Sequence, residues 1–581
     1  MVDRIKTKIK IVIFTFCLLL ANKTLIIPIF VINILLAIYP FLSIQLNGTL
    51  INAITFENTL VFPTFICIII ITALNTILSN IYNYLLINFQ CKLNLYIEEL
   101  IINKAAKLEY HYFENSEVYD QLKRASTDAI TKPFVFFTYI LNMFKSILQI
   151  CSIIILLSSS EVQNIEILFL VSAALIVPNL KIIKKEYLMH KDLTILYRKK
   201  NYLKSLVTNA ANAKEVKIFN LSNWFIKQYC DYGRNINQQV CNLNKKKNQL
   251  GGGSQLAIFA ISSWLQFNCI KNTLKGMYPV GQMAIYIQTI AKVNTVVSDL
   301  LSTTYNLYNT VLFIEYLYSY MNLEEEVYCE MLIDDYIKAN DNIIEFKNVS
   351  FKYPKSDSNV FKNLSFKIHQ GDILAIVGEN GSGKSTIISL LCRLFEVSEG
   401  NILFNDIPIQ NFNLDHWRKE IRIIFQDFVK YELTLKENIS IKKNISIQEE
   451  DKIGKIISMI GLDKVIDKLP QKIDTQLGVL FKEGMQLSQG EWQKISVGRA
   501  LYKKGSILIF DEPSSALDTE SEAKVFSLLD NYSKSENILF TIFVTHNRHN
   551  LKFANKILCL KKEGATYYSN IKEYMRENSD E

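Results

Sequence analysis

What this 581-residue sequence lacks narrows it first. Glycine (20) and proline (10) are too sparse for a collagen-like or low-complexity chain, and 49% hydrophobic with 21% charged residues is too apolar for disorder. No CxxC pair occurs among the ten cysteines, Cys17, Cys67, Cys91, Cys151, Cys230, Cys241, Cys269, Cys329, Cys392 and Cys559. They lie far apart, mostly in apolar stretches, so we expect reduced packing residues, with neither a disulfide framework nor a zinc site. Charge of one sign does not dominate: 64 Lys and Arg against 56 acids leave +8, which suits an anionic membrane surface or a soluble basic protein equally. The length is about four times that of a typical domain, which implies at least two cores.

Charge itself is missing from long parts of the first half. None occurs between Lys23 and Glu57, and none between Glu57 and Lys92, two stretches of more than thirty residues each. A membrane-spanning helix needs about twenty apolar residues. Gln45, Asn47, Gly48 and Thr49 interrupt the first stretch, which predicts a span over 24–46, a short outer loop, and a second span from about 59 that runs on as a polar helix to about 108. Further spans are expected at 134–157, 167–180, 248–270 and from about 279 to 315, making six. A cleaved signal peptide is the alternative for the first stretch, but no small-residue cleavage site is clear and another span follows directly.

Basic residues near span ends mark the cytoplasmic side. Residues 1–10, KIIKK (181–185), YRKK (197–200) and NKKKN (244–248) are basic, whereas the segments joining spans one to two and three to four carry only Glu57, Glu161 and Glu166. Both ends of the membrane part are therefore expected inside, with Lys271 and Lys275 in minor conflict. The polar intervals between spans two and three and between four and five should project into the cytosol. Their turning points, FENSEVYDQLKRA (113–125) and AKEVKIFNLSNWF (213–225), read as solvated hairpins or as docking elements, and the nucleotide-binding motifs that follow favour docking. Within the spans, Lys145, Lys292 and Asp299 are candidates for a substrate pathway, with snorkelling towards the interface as the other account.

After a charged segment at 323–341 the pattern changes to alternating strands and helices. DILAIVGENGSGKSTIISLL (372–391) is an apolar strand, then Gly378-x4-Gly383-Lys384-Ser385, then a helix. The glycines let backbone N–H groups curl around phosphates, Lys384 reaches terminal phosphates and the Ser385 hydroxyl suits magnesium. SILIFDEPSSALD (506–518) is a strand ending in Asp511, suited to the metal, and Glu512, suited to polarising an attacking water. Tyr353 offers a face for adenine, Gln426 follows a strand, Ser488 and Gly490 open a helix with an anion-binding end, and His546 ends a strand where it can reach a terminal phosphate.

Taken together, these motifs resemble the ATP-binding cassette family, in particular exporter half-transporters, over essentially the whole chain. The resemblance implies an all-α six-helix transmembrane domain (1–322), a linker (323–340), an α/β P-loop nucleotide-binding domain (341–576) and a tail (577–581). It implies ATP and Mg2+ as cofactors. Tyr353 would stack adenine, and Gly378, Asn380, Gly381, Ser382, Gly383, Lys384, Ser385 and Thr386 would hold phosphates. Gln426 would couple, Asp511 would hold the metal, Glu512 would be the catalytic base, and Asp518 and His546 would fill the interface and switch positions. Ser488 and Gly490 would close over ATP held by a second chain. A homodimer is therefore implied, with a heterodimer of related half-transporters as the alternative. The signature departs from the commonest form at Gln489 and Glu491, where Gly and Gln are usual.

The segments at 416–439 and 475–501, with Trp492 after the signature, resemble exporters of lantibiotic and other bacteriocin-like peptides. The function implied is ATP-driven peptide export at the cell membrane, multi-pass with both termini cytoplasmic. A lipid or drug exporter, or an ATP-gated channel, is the alternative. About twenty residues precede the first span and Cys17 has no nearby His, so a separate leader protease and peptide-modifying enzymes are expected partners. The positive charge flanks spans, so membrane lipid, and not nucleic acid, is the expected partner for it.

Overall fold

The computed structural model describes residues 2–56, 59–115, 129–158, 195–326, 329–337, 341–354, 356–512, 538–561 and 564–577, with 118, 121, 122, 125, 126, 189, 193, 522, 525–528 and 531. The chain divides into two units, Met1–Ala106 with Ser116–Leu323, and Lys107–Asn115 with Glu324–Glu581.

The first unit is built of helices: α1 (Val2–Leu20), α2 (Lys23–Thr55), α3 (Val61–Lys107), α5 (Lys132–Ser158), α6 (Ala210–Ile218), α7 (Ser222–Leu274) and α8 (Val280–Met321), while the short α4 (His111–Glu114) belongs to the second unit. Among the described residues, α2, α3 and α5 are long and apolar enough to cross a membrane. Helices α7 and α8 run unbroken through the predicted fifth and sixth spans, and the predicted fourth span lies outside the described residues.

Two expectations need correction. The first span was expected to stop near residue 46, yet α2 continues to Thr55. The polar residues there are absorbed by the helix: the Thr49 hydroxyl donates to the Leu46 carbonyl at 2.9 Å. Gly48 is used for close approach, since a Cβ on Gly281 would lie 2.2 Å from the Gly48 carbonyl. Asn52 Oδ1 accepts from the Gly281 N–H at 2.7 Å, so this stretch holds the start of α8. The second correction is α1, where only a basic segment was expected. Thr15 and Leu19 are buried on one side of it, while Ile9, Ile13, Phe16 and Leu20 are exposed on another.

Apolar packing joins α5, α7 and α8 through Ile153, Ile258, Leu265, Ile290, Val293, Val296 and Val297. Buried Asn33 on α2 donates to the Leu141 carbonyl of α5 at 3.0 Å, so its amide N–H is satisfied where water is excluded.

The second unit carries two sheets. One is antiparallel, in the order β2 (Phe361–His369), β1 (Ile343–Phe351), β4 (Glu399–Phe404), β5 (Ile407–Pro408). The other runs β10 (Gly564–Tyr568), β9 (Lys556–Lys561), β3 (Ile373–Gly378), β8 (Phe540–Val544), β7 (Ile507–Asp511), β6 (Ile421–Ile424). Its β6, β7, β8, β3 and β9 are parallel neighbours. Every residue of β7 and β8 is buried, which fits their unbroken apolar sequences, because a parallel strand is covered on both faces. The register pairs Ile424 with Phe510 and Asp511 with Val544, so the carboxyl ends of β6, β7 and β8 stop at one level. Ligands of open α/β sheets bind at this edge.

Candidate nucleotide site

Four loops leave that edge together. After β3, residues 378–383 turn into α9 (Lys384–Leu391). The turn needs glycine: Gly378, Gly381 and Gly383 have φ of 148°, 81° and 96°, and a Cβ on Gly378 would lie 2.3 Å from the Leu560 carbonyl. Lys384 is buried at the start of α9, and its ammonium donates to the carbonyls of Gly378 (3.1 Å) and Glu379 (3.0 Å). Burial pulls its pKa below the ordinary value, opposed by the charges of Glu512 and Asp511. Ser382 is buried, and its hydroxyl has no hydrogen-bond partner among the described residues. An orphaned hydroxyl inside a glycine cradle, beside a lysine ammonium, is the donor set a phosphate needs. The loop therefore fits a nucleotide triphosphate.

The Ser385 hydroxyl donates to Asp511 Oδ1 at 3.2 Å. These hard oxygen donors fit a magnesium ion. Burial raises the Asp511 pKa, eased by the Ser385 hydrogen bond and Lys384 and reinforced by Glu512 and Asp427.

Glu512 follows directly at φ 48°, a left-handed conformation that is uncommon for a residue with a side chain. It turns the carboxylate out of the strand line towards both flanking loops. Oε2 accepts from Gln426 Nε2 at 2.7 Å, and Oε1 meets His546 Nε2 at 2.7 Å. Gln426, Glu512 and His546, predicted from separate segments, thus meet in one cluster. Each stands two residues past a strand position at the common level.

Tyr353 is half-buried, edge-on to Phe351 (5.0 Å) and Phe395 (5.3 Å), with its hydroxyl 2.8 Å from Thr386 Oγ1. The tyrosine is thereby tied to the phosphate-loop helix. Phe395 was not foreseen, because an aromatic after a helix carries no distinguishing sequence signal. Asn380 is exposed at the loop tip, and Asp518 lies outside the described residues.

Ser488 and Gly490 are not brought to this cluster. Ser488 caps α12 (Gln489–Tyr502), which follows α10 (Leu435–Ser440) and α11 (Ile447–Met459) in the chain. Its hydroxyl accepts from Glu491 N at 3.3 Å and its own N–H donates to Glu491 Oε2 at 2.7 Å, a capping box. Trp492 is buried in the core with Leu501 and Phe510, so the residue that suggested a subfamily has a packing role. Arg499, also unforeseen, ties α12 to the loop after β6 by donating from Nη1 to the Val429 carbonyl at 2.7 Å.

A glycine cradle between a buried strand and a helix, with a serine–aspartate pair and a clamped glutamate, defines a phosphate-loop nucleoside triphosphatase. Residues 361–515 match the family described as ABC transporter. The subtilin transport ATP-binding protein of Bacillus subtilis is 30% identical over 91% of this chain and 86% of its own length. The nisin transport ATP-binding protein of Lactococcus lactis subsp. lactis is 30% identical over 91% and 88%. An ATP-dependent lipid A-core flippase of Pseudomonas savastanoi pv. phaseolicola is 30% identical over 53% and 49%. Among solved structures, a bacterial Atm1-family ABC exporter with ATP bound superposes with a TM-score of 0.77 at 20% identity, covering 96% of this chain and 97% of that one. The chain belongs to the ABC transporter family. It is an ATP-binding, ATP-hydrolysing membrane transporter with the exporter fold, a helical transmembrane domain joined to an α/β nucleotide-binding domain.

Proposed function

We propose that two copies of this chain form an exporter of a lantibiotic or bacteriocin-like peptide, moved from the cytoplasm outward by alternating access. The observation that carries the peptide reading is the extent of the likeness to the subtilin and nisin transport proteins. It covers 91% of this chain, the membrane-spanning part included. The match to the lipid A-core flippase covers 53%.

In the proposed reaction, Lys384 exchanges the Gly378 and Glu379 carbonyls for terminal phosphate oxygens, and the free Ser382 hydroxyl donates to them. Ser385 and Asp511 would hold Mg2+, which supplies charge neutralisation at the phosphates. Tyr353 stacks on adenine. Glu512 orients and polarises the attacking water, with Gln426 and His546 fixing its two oxygens. Ser488 and Gly490 of one copy complete the site of the other, and Asp518 serves the interface between copies. Hydrolysis resets a closure that ATP drives through its higher affinity for the closed state.

The reading places six spans per copy in the cell membrane, a linker at 323–340, and both termini in the cytoplasm. Docking falls to the loops at 113–125 and 213–225. The second of these presents exposed Ile218, Phe219 and Trp224 at its turn, while part of the first lies outside the described residues. A separate protease and modifying enzymes would process the peptide.

The test is reconstitution of the full chain in lipid vesicles with a candidate precursor peptide. Peptide-stimulated ATPase activity, with peptide accumulating against its gradient, is the expected result. Stimulation by lipid or drugs alone, without peptide accumulation, would sink the peptide reading, and ATP-dependent passive leakage would favour a channel.

A further inference from the structure

Gln489 stands where the family most often has glycine, and the structure gives its side chain a partner. Its Oε1 accepts a hydrogen bond from Lys430 Nζ at 2.5 Å. Lys430 lies in the loop that leaves β6 and carries Gln426. The other end of α12 grips the same loop: Arg499 donates to the Val429 carbonyl at 2.7 Å and lies 4.5 Å over the Tyr431 ring. Arg499 also donates to Asn438 O at 2.9 Å and Oδ1 at 2.8 Å, and Asn438 Nδ2 donates to the Tyr431 carbonyl at 2.8 Å.

The two grips differ in what they hold. Arg499 sits roughly 15 Å along the helix from Ser488, at about 1.5 Å per residue, so it fixes the loop against the far end of α12. Lys430 fixes it at the signature end. A glycine at 489 has no acceptor to offer, so in the commoner sequence this second tie cannot form. With both ties in place, the loop bearing Gln426 and the end bearing Ser488 and Gly490 move as one piece.

We propose that Gln489 and Lys430 are positioning residues for ATP hydrolysis, a side-chain latch that sets the signature end of α12 relative to the loop carrying Gln426. The proposal rests on the reading that Ser488 and Gly490 complete the ATP site of a second copy. Under it, Gln426 sits at one site and the latched signature end at the other, so the latch couples the two sites. A hydrogen bond with two discrete arrangements, made and broken, is a physical carrier for such coupling.

The test uses the full-length chain in lipid vesicles, with ATP as the probe. Gln489→Gly and Lys430→Gln should each lower kcat roughly 3–10-fold and reduce the Hill coefficient for ATP, with KM changed less than about twofold, since neither residue touches the nucleotide of its own copy. The double variant should be no slower than the slower single, because both remove one interaction. Lys430→Arg should retain most of the activity. Multiplicative losses in the double variant, or an unchanged kcat and Hill coefficient in either single, would overturn the latch.

Mixing separates this from the underlying reading. Lys384→Ala and Gly490→Asp chains are each inactive as homodimers, but a mixed dimer keeps one site with both parts intact and should recover hydrolysis. Recovery on mixing together with multiplicative losses in the double variant would reject the latch alone. No recovery on mixing would reject completion of the site by a second copy, and with it the proposed link between sites.

Discussion

Glu512 and His546 meet at 2.7 Å, carboxylate Oε1 to imidazole Nε2, although 33 residues and a strand separate them in the chain. The other carboxylate oxygen is taken by Gln426. The base is thus held from both sides by residues at neighbouring strand ends, on a backbone with φ of 48°. A carboxylate fixed in this way is oriented before the nucleotide arrives.

Glu512→Gln tests that assignment with little structural cost, because the amide fills the same space and still bonds both neighbours. Loss of a general base typically removes about 10²–10⁴ in rate, and we expect kcat to fall within that range. ATP binding should persist, because Lys384, Ser382 and the glycine loop are untouched. Parallel measurement of phosphate release and of fluorescent-nucleotide binding checks both halves. Turnover at the wild-type rate would remove Glu512 from the role of base.

The nucleotide site was the most legible part of the sequence, for a local reason. Gly378 to Ser385 and Asp511 with Glu512 are contiguous segments whose chemistry follows from strand, turn and helix order. The strand-end positions of Gln426 and His546 were readable too, but their convergence on Glu512 depends on sheet order, which no single segment encodes. Gln489 with Lys430 and Arg499 with Val429 were not readable at all, since their partners lie 59 and 70 residues away. In the membrane part, charge-free stretches located α2, α3 and α5. The end of α2 was misjudged because Asn, Gly and Thr read as loop residues in water, whereas here Thr49 bonds its own helix and Gly48 meets Gly281.

The pH dependence of hydrolysis should report Asp511. Burial is the main cause holding its carboxyl above the ordinary 3.8, with Glu512 and Asp427 adding repulsion. The metal-holding form is the anion, so activity is lost as pH falls through that raised value. The acid limb of kcat/KM should therefore lie above the ordinary aspartate range. Asp427→Asn removes one repulsion, stabilises the Asp511 anion, and should move the limb to lower pH. A limb that moves upward, or stays fixed, would show that Asp427 is not felt at Asp511.

Glu491 provides the last prediction, because its two effects can be separated by substitution. Its carboxylate accepts from the Ser488 N–H at 2.7 Å, and its own N–H donates to the Ser488 hydroxyl. Glutamine can keep both bonds, since either residue closes a capping box. What glutamine removes is a negative charge at the end of α12 that, on the proposed reading, approaches the phosphates of a second copy. At about 10 Å and an effective dielectric between protein surface and water, each phosphate charge is repelled by roughly 0.5–1.5 kcal/mol. Glu491→Gln should therefore lower the KM for ATP severalfold, most at low salt, with the melting temperature unchanged. Glu491→Ala removes the same charge but also the cap, worth about 1 kcal/mol, and should lower the melting temperature. If KM falls equally in both variants, charge alone sets it. If it falls only in Glu491→Gln, the capped geometry of Ser488 is needed as well. A KM that does not fall in Glu491→Gln would mean that this end of the helix never nears the phosphates.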